Sequence, residues 1–271
     1  MCGIVGYIGN KKASPILING LLRLEYRGYD SAGIATMEND KIQVMKNKGR
    51  VNNLYELDGI NDLIGTIGIA HTRWATHGKP SKENSHPHMD NSNSFAVVHN
   101  GIIENYHEIK TFLIEKGYKF LSATDTEVIP NLIHYYFNQD KVEDDYKLLR
   151  AVKNTCNDLK GSYAIEILSI YNKDKMIVVR KDSPLVIGMG NGENTQLFEV
   201  DDGVLFTSKV IGIQKGQVGK AGELKGVIRY GTTSRMGEVY KNTDAGIFGK
   251  FDSDDLYDYL HNGELYDVAY K

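Results

Sequence analysis

Cysteine is scarce in this chain: Cys2 and Cys156 are the two thiols in 271 residues. Two cysteines cannot form the disulfide framework of a small secreted domain, and so low a number is typical of a reducing compartment. The chain also lacks an apolar run of the roughly 18 residues that a membrane span needs. Residues 1–6 show neither the basic segment nor the apolar stretch of a signal peptide. We therefore expect a cytoplasmic protein without membrane contact.

An excess of one charge sign is absent as well. The 32 Lys and Arg residues nearly balance the 35 Asp and Glu residues, which gives a net charge of −3. The basic residues are spread along the chain, which argues against nucleic acid as a partner. Proline is rare, with five residues, and no Pro-rich or Ser-rich linker is present. A chain of this length can bury a sizeable core without disulfides or structural metal.

The pattern along the chain predicts strands, then helices, then strands. The predicted strands are 2–8, 32–37, 41–45, 67–70 and 95–98, and the predicted helices are 14–28, 104–116, 126–137 and 145–159. Ser14 as N-cap and Pro15 in the first turn mark the start of the first helix. A hairpin over 162–170 and 176–180 follows. Such segregated blocks predict an α+β fold, with helices layered on sheets.

The pattern changes near residue 191. Beyond the predicted turn at 192–194 we expect short β segments separated by glycine, and then an acidic stretch with helical spacing. These segments are 204–213, 222–230, 236–240 and 252–260. We therefore predict two regions, a main domain over 1–194 and a small β-rich appendage over 195–271.

Cys2 becomes the first residue if Met1 is removed, a step that a small second side chain favours. The thiol and a free α-amino group would then belong to one residue. An α-amino group titrates near about 7.7–8.0, so it is well placed to take the proton of the thiol. The alternative interpretation is a cysteine that packs as a small apolar residue in a buried strand.

Several sequence blocks carry a family resemblance. They are MCGIVG at 1–6, LEYRGYDSAG at 24–33, HTRWATHG at 71–78, ENSHPH at 83–88, VVHNGIIENY at 97–106 and TDTEVI at 124–129. Together they resemble the glutaminase half of the glutamine–fructose-6-phosphate aminotransferase family, which is one of the class II amidotransferase families. The resemblance implies an N-terminal nucleophile hydrolase fold, a four-layer αββα sandwich, over 1–194. It also implies hydrolysis of L-glutamine to glutamate and ammonia through a thioester at Cys2.

The resemblance assigns an oxyanion hole to the block at 97–106. Attack on an amide forms a tetrahedral oxyanion, which needs preorganised hydrogen-bond donors. By resemblance these donors are the side chain of Asn100 and the backbone N–H of Gly101. The alternative interpretation of an Asn-Gly pair is a plain type I′ turn.

The resemblance also implies a pocket for free glutamine. Arg73 would grip the α-carboxylate, Asp125 would pair with the α-ammonium, and Thr76 and His77 would be further pocket contacts. Trp74 would belong to a mobile lid, and its alternative is a core aromatic residue.

Two further motifs leave alternatives open. Arg27 matches a family arginine near the nucleophile, where a cation favours the thiolate, although a cation at a helix C-terminus is the plainer interpretation. His86-Pro87-His88 invites a metal, but this spacing without a Cys/His cluster is a weak zinc signal. We expect no metal and no cofactor.

The resemblance stops after residue 194. The aminotransferase family continues into two sugar-isomerase domains, which the chain is too short to hold, so fructose-6-phosphate would accept the ammonia only if those domains were supplied elsewhere. Families that serve phosphoribosyl pyrophosphate or aspartate are the alternative amidotransferases. A non-catalytic interaction fragment is the alternative from another class. For the assembly, a homo-oligomer is the alternative to a monomer.

The segment 195–249 shows a second, fainter resemblance, to the stage IV sporulation protein B peptidase family. It is carried by GKAGEL at 219–224 and GIFG at 246–249. The histidine and serine motifs of that peptidase have no counterpart here, because His261, the sole histidine of the appendage, lies after the matching stretch. A segment without nucleophile and base is not expected to cleave peptides.

Overall fold

The structure is a computed structural model. It describes residues 2–75, 77–144, 146–173, 175–183 and 185, together with the backbone of strands at 186–191, 194–199, 203–208, 224–228, 239–242 and 248–251.

The first sheet contains the N-terminal strands, in the order β1-β4-β2-β3 with every neighbouring pair antiparallel. Its strands are β1 (Gly3–Ile8), β2 (Ser31–Glu38), β3 (Lys41–Lys48) and β4 (Ile67–Arg73). Asn39 and Asp40 adopt positive φ between β2 and β3, which closes a tight hairpin. These strands were predicted from the sequence, and the prediction is confirmed.

The second sheet has the order β12-β11-β8-β7-β6-β5. Its strands are β5 (His88–Met89), β6 (Phe95–Ile103), β7 (Gly161–Ser169), β8 (Lys175–Lys181), β11 (Gly203–Ser208) and β12 (Leu224–Ile228). The strands β9 (Val186–Asn191) and β10 (Asn194–Glu199) pair with each other, as do β13 (Val239–Asn242) and β14 (Phe248–Phe251). The predicted hairpin of β7 and β8 is confirmed.

Helices α1 (Ala13–Leu24), α2 (Tyr106–Glu115), α3 (Val128–Gln139) and α4 (Lys147–Asp158) match the predicted ones to within a few residues. The predicted N-cap of α1 is wrong. Lys12 holds the cap position, whereas Ser14 lies inside the helix and donates its hydroxyl to the carbonyl of Leu63 at 2.9 Å. The hydroxyl of Ser14 thus bonds to a carbonyl that is distant in sequence instead of capping the helix. A 3-10 turn, Glu25–Arg27, ends the segment before Gly28.

The described residues form three apolar layers, which define a four-layer sandwich. One core lies between α1 and the first sheet, a second lies between the two sheets, and a third lies between the second sheet and helices α2–α4. The predicted α+β class and the αββα order of layers are confirmed. Cys156 of α4 is buried in the third core.

The two strands that carry site residues run further than the sequence predicted. β4 continues past Ala70 to Arg73, and β6 continues past Val98 to Ile103. Asn100 and Gly101 therefore lie within β6, paired with Ala164 and Tyr163 of β7. The alternative interpretation of this pair as a type I′ turn is wrong.

Two strands from the chain beyond residue 191, β11 and β12, belong to the second sheet. β11 pairs with β8 over its whole length, from Gly203 opposite Arg180 to Ser208 opposite Lys175. The division at residue 194 stays a prediction, and the acidic helical stretch at 252–260 lies outside the described residues. Within the part of the chain that the structure describes, no helix has the length and apolar character needed to cross a membrane.

Candidate active site

The candidate site lies at one end of the interface between the two sheets. Side chains alternate along each strand, and the inward-facing set on β4 and β6 includes Ile69 and Val98. Continuing this alternation brings Arg73 of β4 and Asn100 of β6 to the same end. Cys2 directly precedes β1, whose Gly3 pairs with Thr72, so the thiol arrives at the level of Arg73.

The thiol of Cys2 contacts the backbone of Trp74. The backbone N–H of Trp74 donates to Sγ at 3.2 Å, and the carbonyl oxygen of Trp74 lies 3.6 Å from Sγ. The neighbouring Gly3 must be small, because a Cβ there would lie 2.8 Å from Cβ of Leu24 and 2.9 Å from Oγ1 of Thr72. The nucleophile is therefore held by close backbone packing.

Burial raises the pKa of the Cys2 thiol above its usual value. The N–H of Trp74 and the positive charge of Arg73 act in the opposite direction, while Asp125 adds to the increase. Desolvation dominates, so the resting group is a thiol. A base is therefore needed to generate the thiolate.

Arg73 is buried, with 3% of its surface exposed. Its Nη2 donates to the carbonyls of His77 and Gly78, whereas its buried Nη1 has no hydrogen-bond partner among the described residues. Burial lowers the pKa of Arg73, and the charges of Cys2 and Asp125 oppose that shift. A buried guanidinium with an unused N–H is suited to a carboxylate ligand.

Asn100 faces Cys2 from the second sheet, and Gly101 follows it on β6. Nδ2 of Asn100 donates to the carbonyl of Cys2 at 3.4 Å. Gly101 has φ of +126°, and a Cβ there would lie 2.0 Å from the carbonyl oxygen of Ser162. Only glycine fits this position.

Asp125 is fixed to the end of β6. Its Oδ2 accepts the backbone N–H of Ile103 at 2.9 Å, and the hydroxyl of Thr126 lies 3.5 Å from Oδ1. The carboxylate is 5% exposed, and its charge acts on both Cys2 and Arg73. The structure thus brings Cys2, Arg73, Asn100 and Asp125 to one site.

Trp74 and His77 lie at the rim of this site. Trp74 is 45% exposed and meets the ring of Tyr29 edge-on at 5.6 Å between centroids, so the alternative of a core aromatic residue is wrong. His77 is half-buried against the ring of Tyr106 at 5.7 Å. Thr76 lies outside the described residues.

Arg27 is half-buried and lies in the 3-10 turn before Gly28. The arginine whose charge acts on the Cys2 thiol is Arg73, so a supporting role for Arg27 stays a prediction.

Asp30 is a supporting residue that the sequence analysis did not single out. Its Oδ2 accepts the N–H of Ala75 at 2.8 Å, and its own N–H donates to the carbonyl of Arg73 at 3.0 Å. Asp30 thus holds the peptide groups on both sides of Trp74, whose backbone contacts the Cys2 thiol. Asp30 is part of the block LEYRGYDSAG. The long-range pairing of β2 with β4, with Ser31 opposite Arg73, places Asp30 beside Trp74.

The motif His86-Pro87-His88 is built into the interior. His86 stacks on His71 at 4.1 Å between ring centroids, and Nε2 of His88 lies 3.1 Å from the hydroxyl of Thr124. Among the described residues, no three or more His, Cys, Asp or Glu side chains are grouped so as to hold a metal ion.

Known proteins are similar to this chain in sequence. Residues 71–205 match the family model of the glutamine amidotransferase domain. The glutamine–fructose-6-phosphate aminotransferase of Caldanaerobacter subterraneus is 57% identical over 194 residues, which are 72% of this chain and 31% of that protein. The enzyme of the same name from Clostridium perfringens is 55% identical over 193 residues. The chain thus spans about a third of the length of these relatives.

A solved structure agrees with the fold. Glutamine phosphoribosylpyrophosphate amidotransferase from B. subtilis superposes with a TM-score of 0.65 at 27% identity, covering 77% of this chain and 47% of that one. Residues 183–271 also match the family model of the SpoIVB peptidase, which overlaps the first match over 183–205. Strands β4 and β6, which carry Arg73 and Asn100, lie before this overlap and within residues 71–205, the segment that is similar to the glutamine amidotransferase domain.

Proposed function

We propose that this chain hydrolyses L-glutamine to glutamate and ammonia through a thioester at Cys2. The observation that carries the proposal is the juxtaposition of the Cys2 thiol with Arg73, whose buried Nη1 has no partner among the described residues. A nucleophile and an unused carboxylate-binding group thus share one site.

The pocket distinguishes free glutamine from a glutaminyl side chain by its two charged groups. Arg73 binds the α-carboxylate through its unused N–H, and the buried carboxylate of Asp125 binds the α-ammonium. Each ligand charge pairs with a buried protein charge of opposite sign that is incompletely compensated in the free protein. A ligand that lacks either charge therefore binds less tightly than free glutamine. His77 contributes to the pocket wall, and Trp74 covers its mouth.

The chemistry begins when removal of Met1 frees the α-amino group of Cys2. That amine takes the thiol proton, and the sulfur attacks the side-chain amide carbon of glutamine. Nδ2 of Asn100 and the N–H of Gly101 stabilise the oxyanion. The C–N bond then breaks, the nitrogen leaves as ammonia with the proton held by the amine, and water hydrolyses the thioester to release glutamate and restore the thiol.

The binding site for the ammonia acceptor lies in the parts of the relatives that this chain does not span. Fructose-6-phosphate is the acceptor that the names of the relatives at 57% and 55% identity favour. Phosphoribosyl pyrophosphate is a second candidate, because an amidotransferase named for it shares the fold at 27% identity. Either acceptor requires further domains, and assembly into a homo-oligomer belongs to the same proposal.

The region 195–271 carries no proposed activity of its own. Its match to the SpoIVB peptidase model supports common ancestry, but the sequence lacks the histidine and serine motifs of that family. A fluorophosphonate label that reacted with a serine in this region would contradict that conclusion.

Replacing the nucleophile tests the proposal. We expect Cys2→Ala to lose ammonia release by at least about 1,000-fold, because no other group forms the thioester, while glutamate still stabilises the fold. Cys156→Ala is the matched control, since its thiol is buried in the third core and its loss should leave turnover unchanged. Glutaminase activity retained in Cys2→Ala would contradict the mechanism, and a Cys2→Ala protein that neither melts cooperatively nor responds to glutamate would favour a non-catalytic fragment.

A further inference from the structure

His71 lies between the two sheets, directly behind the oxyanion donors. It is an inward-facing residue of β4, with 1% of its surface exposed. Its Nε2 lies 3.0 Å from Oδ1 of Asn100 and 3.1 Å from the backbone carbonyl of His99. One ring nitrogen therefore contacts two atoms of β6 on the opposite sheet.

The backbone carbonyl of His99 fixes the proton on this ring. A carbonyl oxygen can only accept, so Nε2 of His71 must carry a hydrogen. Burial lowers the pKa of His71 to about 3, so the ring is neutral and has one N–H. Nδ1 is then unprotonated, consistent with its being a buried atom without a partner among the described residues.

The same proton fixes the orientation of the Asn100 amide. The two ends of an amide are distinguished by their hydrogen-bond partners. Because Nε2 of His71 is a donor, the Asn100 atom facing it must be the oxygen. The NH2 group of Asn100 then points the other way, toward Cys2, where Nδ2 lies 3.4 Å from the backbone carbonyl.

The ring of His71 is itself held in place. The ring of His86 stacks on it with an angle of 15° between the planes. The segment around His86 is bound by Nζ of Lys46, which donates to the carbonyls of Ser85 at 2.7 Å and Pro87 at 2.9 Å. His71 can therefore neither tilt nor turn over without disrupting a packed loop.

We propose that His71 is the positioning residue that locks the amide of Asn100 with its NH2 group toward the oxyanion of the glutaminase reaction. This inference rests on the proposed function. Without His71 the amide can rotate and present its oxygen to the developing negative charge. The loss then falls on the transition state rather than on glutamine binding.

Three variants test the role in catalysis. We expect His71→Leu to lower kcat about 10- to 100-fold with KM changed by less than about threefold. His71→Gln, whose amide N–H can reach the position of Nε2, should recover most of kcat. Thr155→Val is the control, because Thr155 is equally buried but donates its hydroxyl to the carbonyl of Ala151 within α4, and it should keep kcat within about threefold.

A double-mutant cycle distinguishes positioning from a general structural effect. In an Asn100→Ala background, His71→Leu should cause no further loss of kcat, because the group it orients is gone. A full additional loss in that background, or an unchanged kcat in His71→Leu alone, would overturn the inference.

The tautomer of His71 can be measured without any variant and without activity. In ¹⁵N-histidine NMR of the whole chain at pH 7, we expect His71 to show a protonated Nε2 and a bare Nδ1. An Nδ1–H tautomer or an imidazolium would overturn the inference even if glutaminase activity were present. A wild-type chain with the expected tautomer but no ammonia release would instead contradict the proposed function and leave the geometry of His71 intact.

Discussion

At the scale of single residues, the site depends on groups whose hydrogen bonding is incomplete. Arg73 donates through Nη2 to two backbone carbonyls, while Nη1 stays buried without a partner among the described residues. An unmet buried donor costs about 1–3 kcal/mol, and a bound carboxylate removes that cost. The ligand thus completes a hydrogen-bond set that the fold leaves open.

Arg73→Lys tests this property directly. Lysine keeps the charge but loses the planar fork, so we expect KM for glutamine to rise about 30- to 100-fold with kcat changed much less. Steady-state ammonia release measures both constants. Arg23→Lys, on the exposed surface of α1, is the control, and an unchanged KM in Arg73→Lys would contradict the assigned role.

Gly101 tests the oxyanion hole from the backbone side. A Cβ at this position would lie 2.0 Å from the carbonyl oxygen of Ser162, in addition to the strain of φ at +126°. We expect Gly101→Ala to lower the free energy of unfolding by about 3 kcal/mol or more and to abolish ammonia release. Urea denaturation measures the first effect.

Gly117→Ala separates the two causes of that loss. Gly117 also has positive φ, at +90°, but a Cβ there meets nothing within 4 Å. We expect a loss of about 1–2 kcal/mol from backbone strain alone, with activity retained. Equal losses in the two variants would show that the contact with Ser162 does not matter.

At the scale of elements, the interface between the sheets carries a buried carboxyl. Glu166 of β7 faces the first sheet, and a Cβ on Gly6 of β1 would lie 2.7 Å from its Oε2. Oε2 has no hydrogen-bond partner among the described residues, and burial raises the pKa of Glu166 to about 8. The carboxyl is therefore protonated in the folded protein at neutral pH.

Glu166→Gln should make the fold less sensitive to alkali. The folded carboxyl keeps its proton up to about pH 8, whereas the unfolded chain loses it near about 4.3. Stability from this group is complete below the unfolded value and is lost as pH rises, by about 1.4 kcal/mol per unit, until the folded value is passed. We expect wild type to lose stability relative to Glu166→Gln between pH 6.5 and 8.

The window above pH 6.5 avoids the buried histidines. Burial lowers the pKa values of His71, His86, His88 and His99, so their contribution is complete above the unfolded value and is lost as pH falls below about 6.5. Glu115→Gln, an exposed carboxyl at the end of α2, is the control. A constant difference between wild type and Glu166→Gln across the window would contradict the buried, protonated state.

Element ends were harder to predict than elements. Apolar alternation identified β4 and β6, but it stopped where the inward-facing positions turn polar, at His71, Arg73 and Asn100. A polar residue at an inward position looks like the end of a strand in the sequence. In this protein such residues continue the strand and form the site. The tertiary hydrogen bond of Ser14 to Leu63 is likewise invisible to a local capping rule.

At the scale of the whole molecule, the order of blocks predicted the layers. The segregation of strands and helices indicated the sandwich, and the family blocks indicated which residues meet. Periodicity alone could not show that β1, β4 and β6 present Cys2, Arg73 and Asn100 at one end of the interface, because that depends on register between distant segments. The place of β11 beside β8 in the second sheet could not be predicted either, because it also depends on pairing between distant segments.

The central claim is that Cys2 acts as an N-terminal nucleophile, and intact mass spectrometry tests it most directly. The whole chain is weighed before and after treatment with 6-diazo-5-oxo-L-norleucine, a reactive glutamine analogue. We expect a chain that lacks the mass of one methionine and gains a single adduct, located at Cys2 by peptide mapping. A chain that keeps Met1 and still releases ammonia at full rate, or an adduct on another residue, would contradict it.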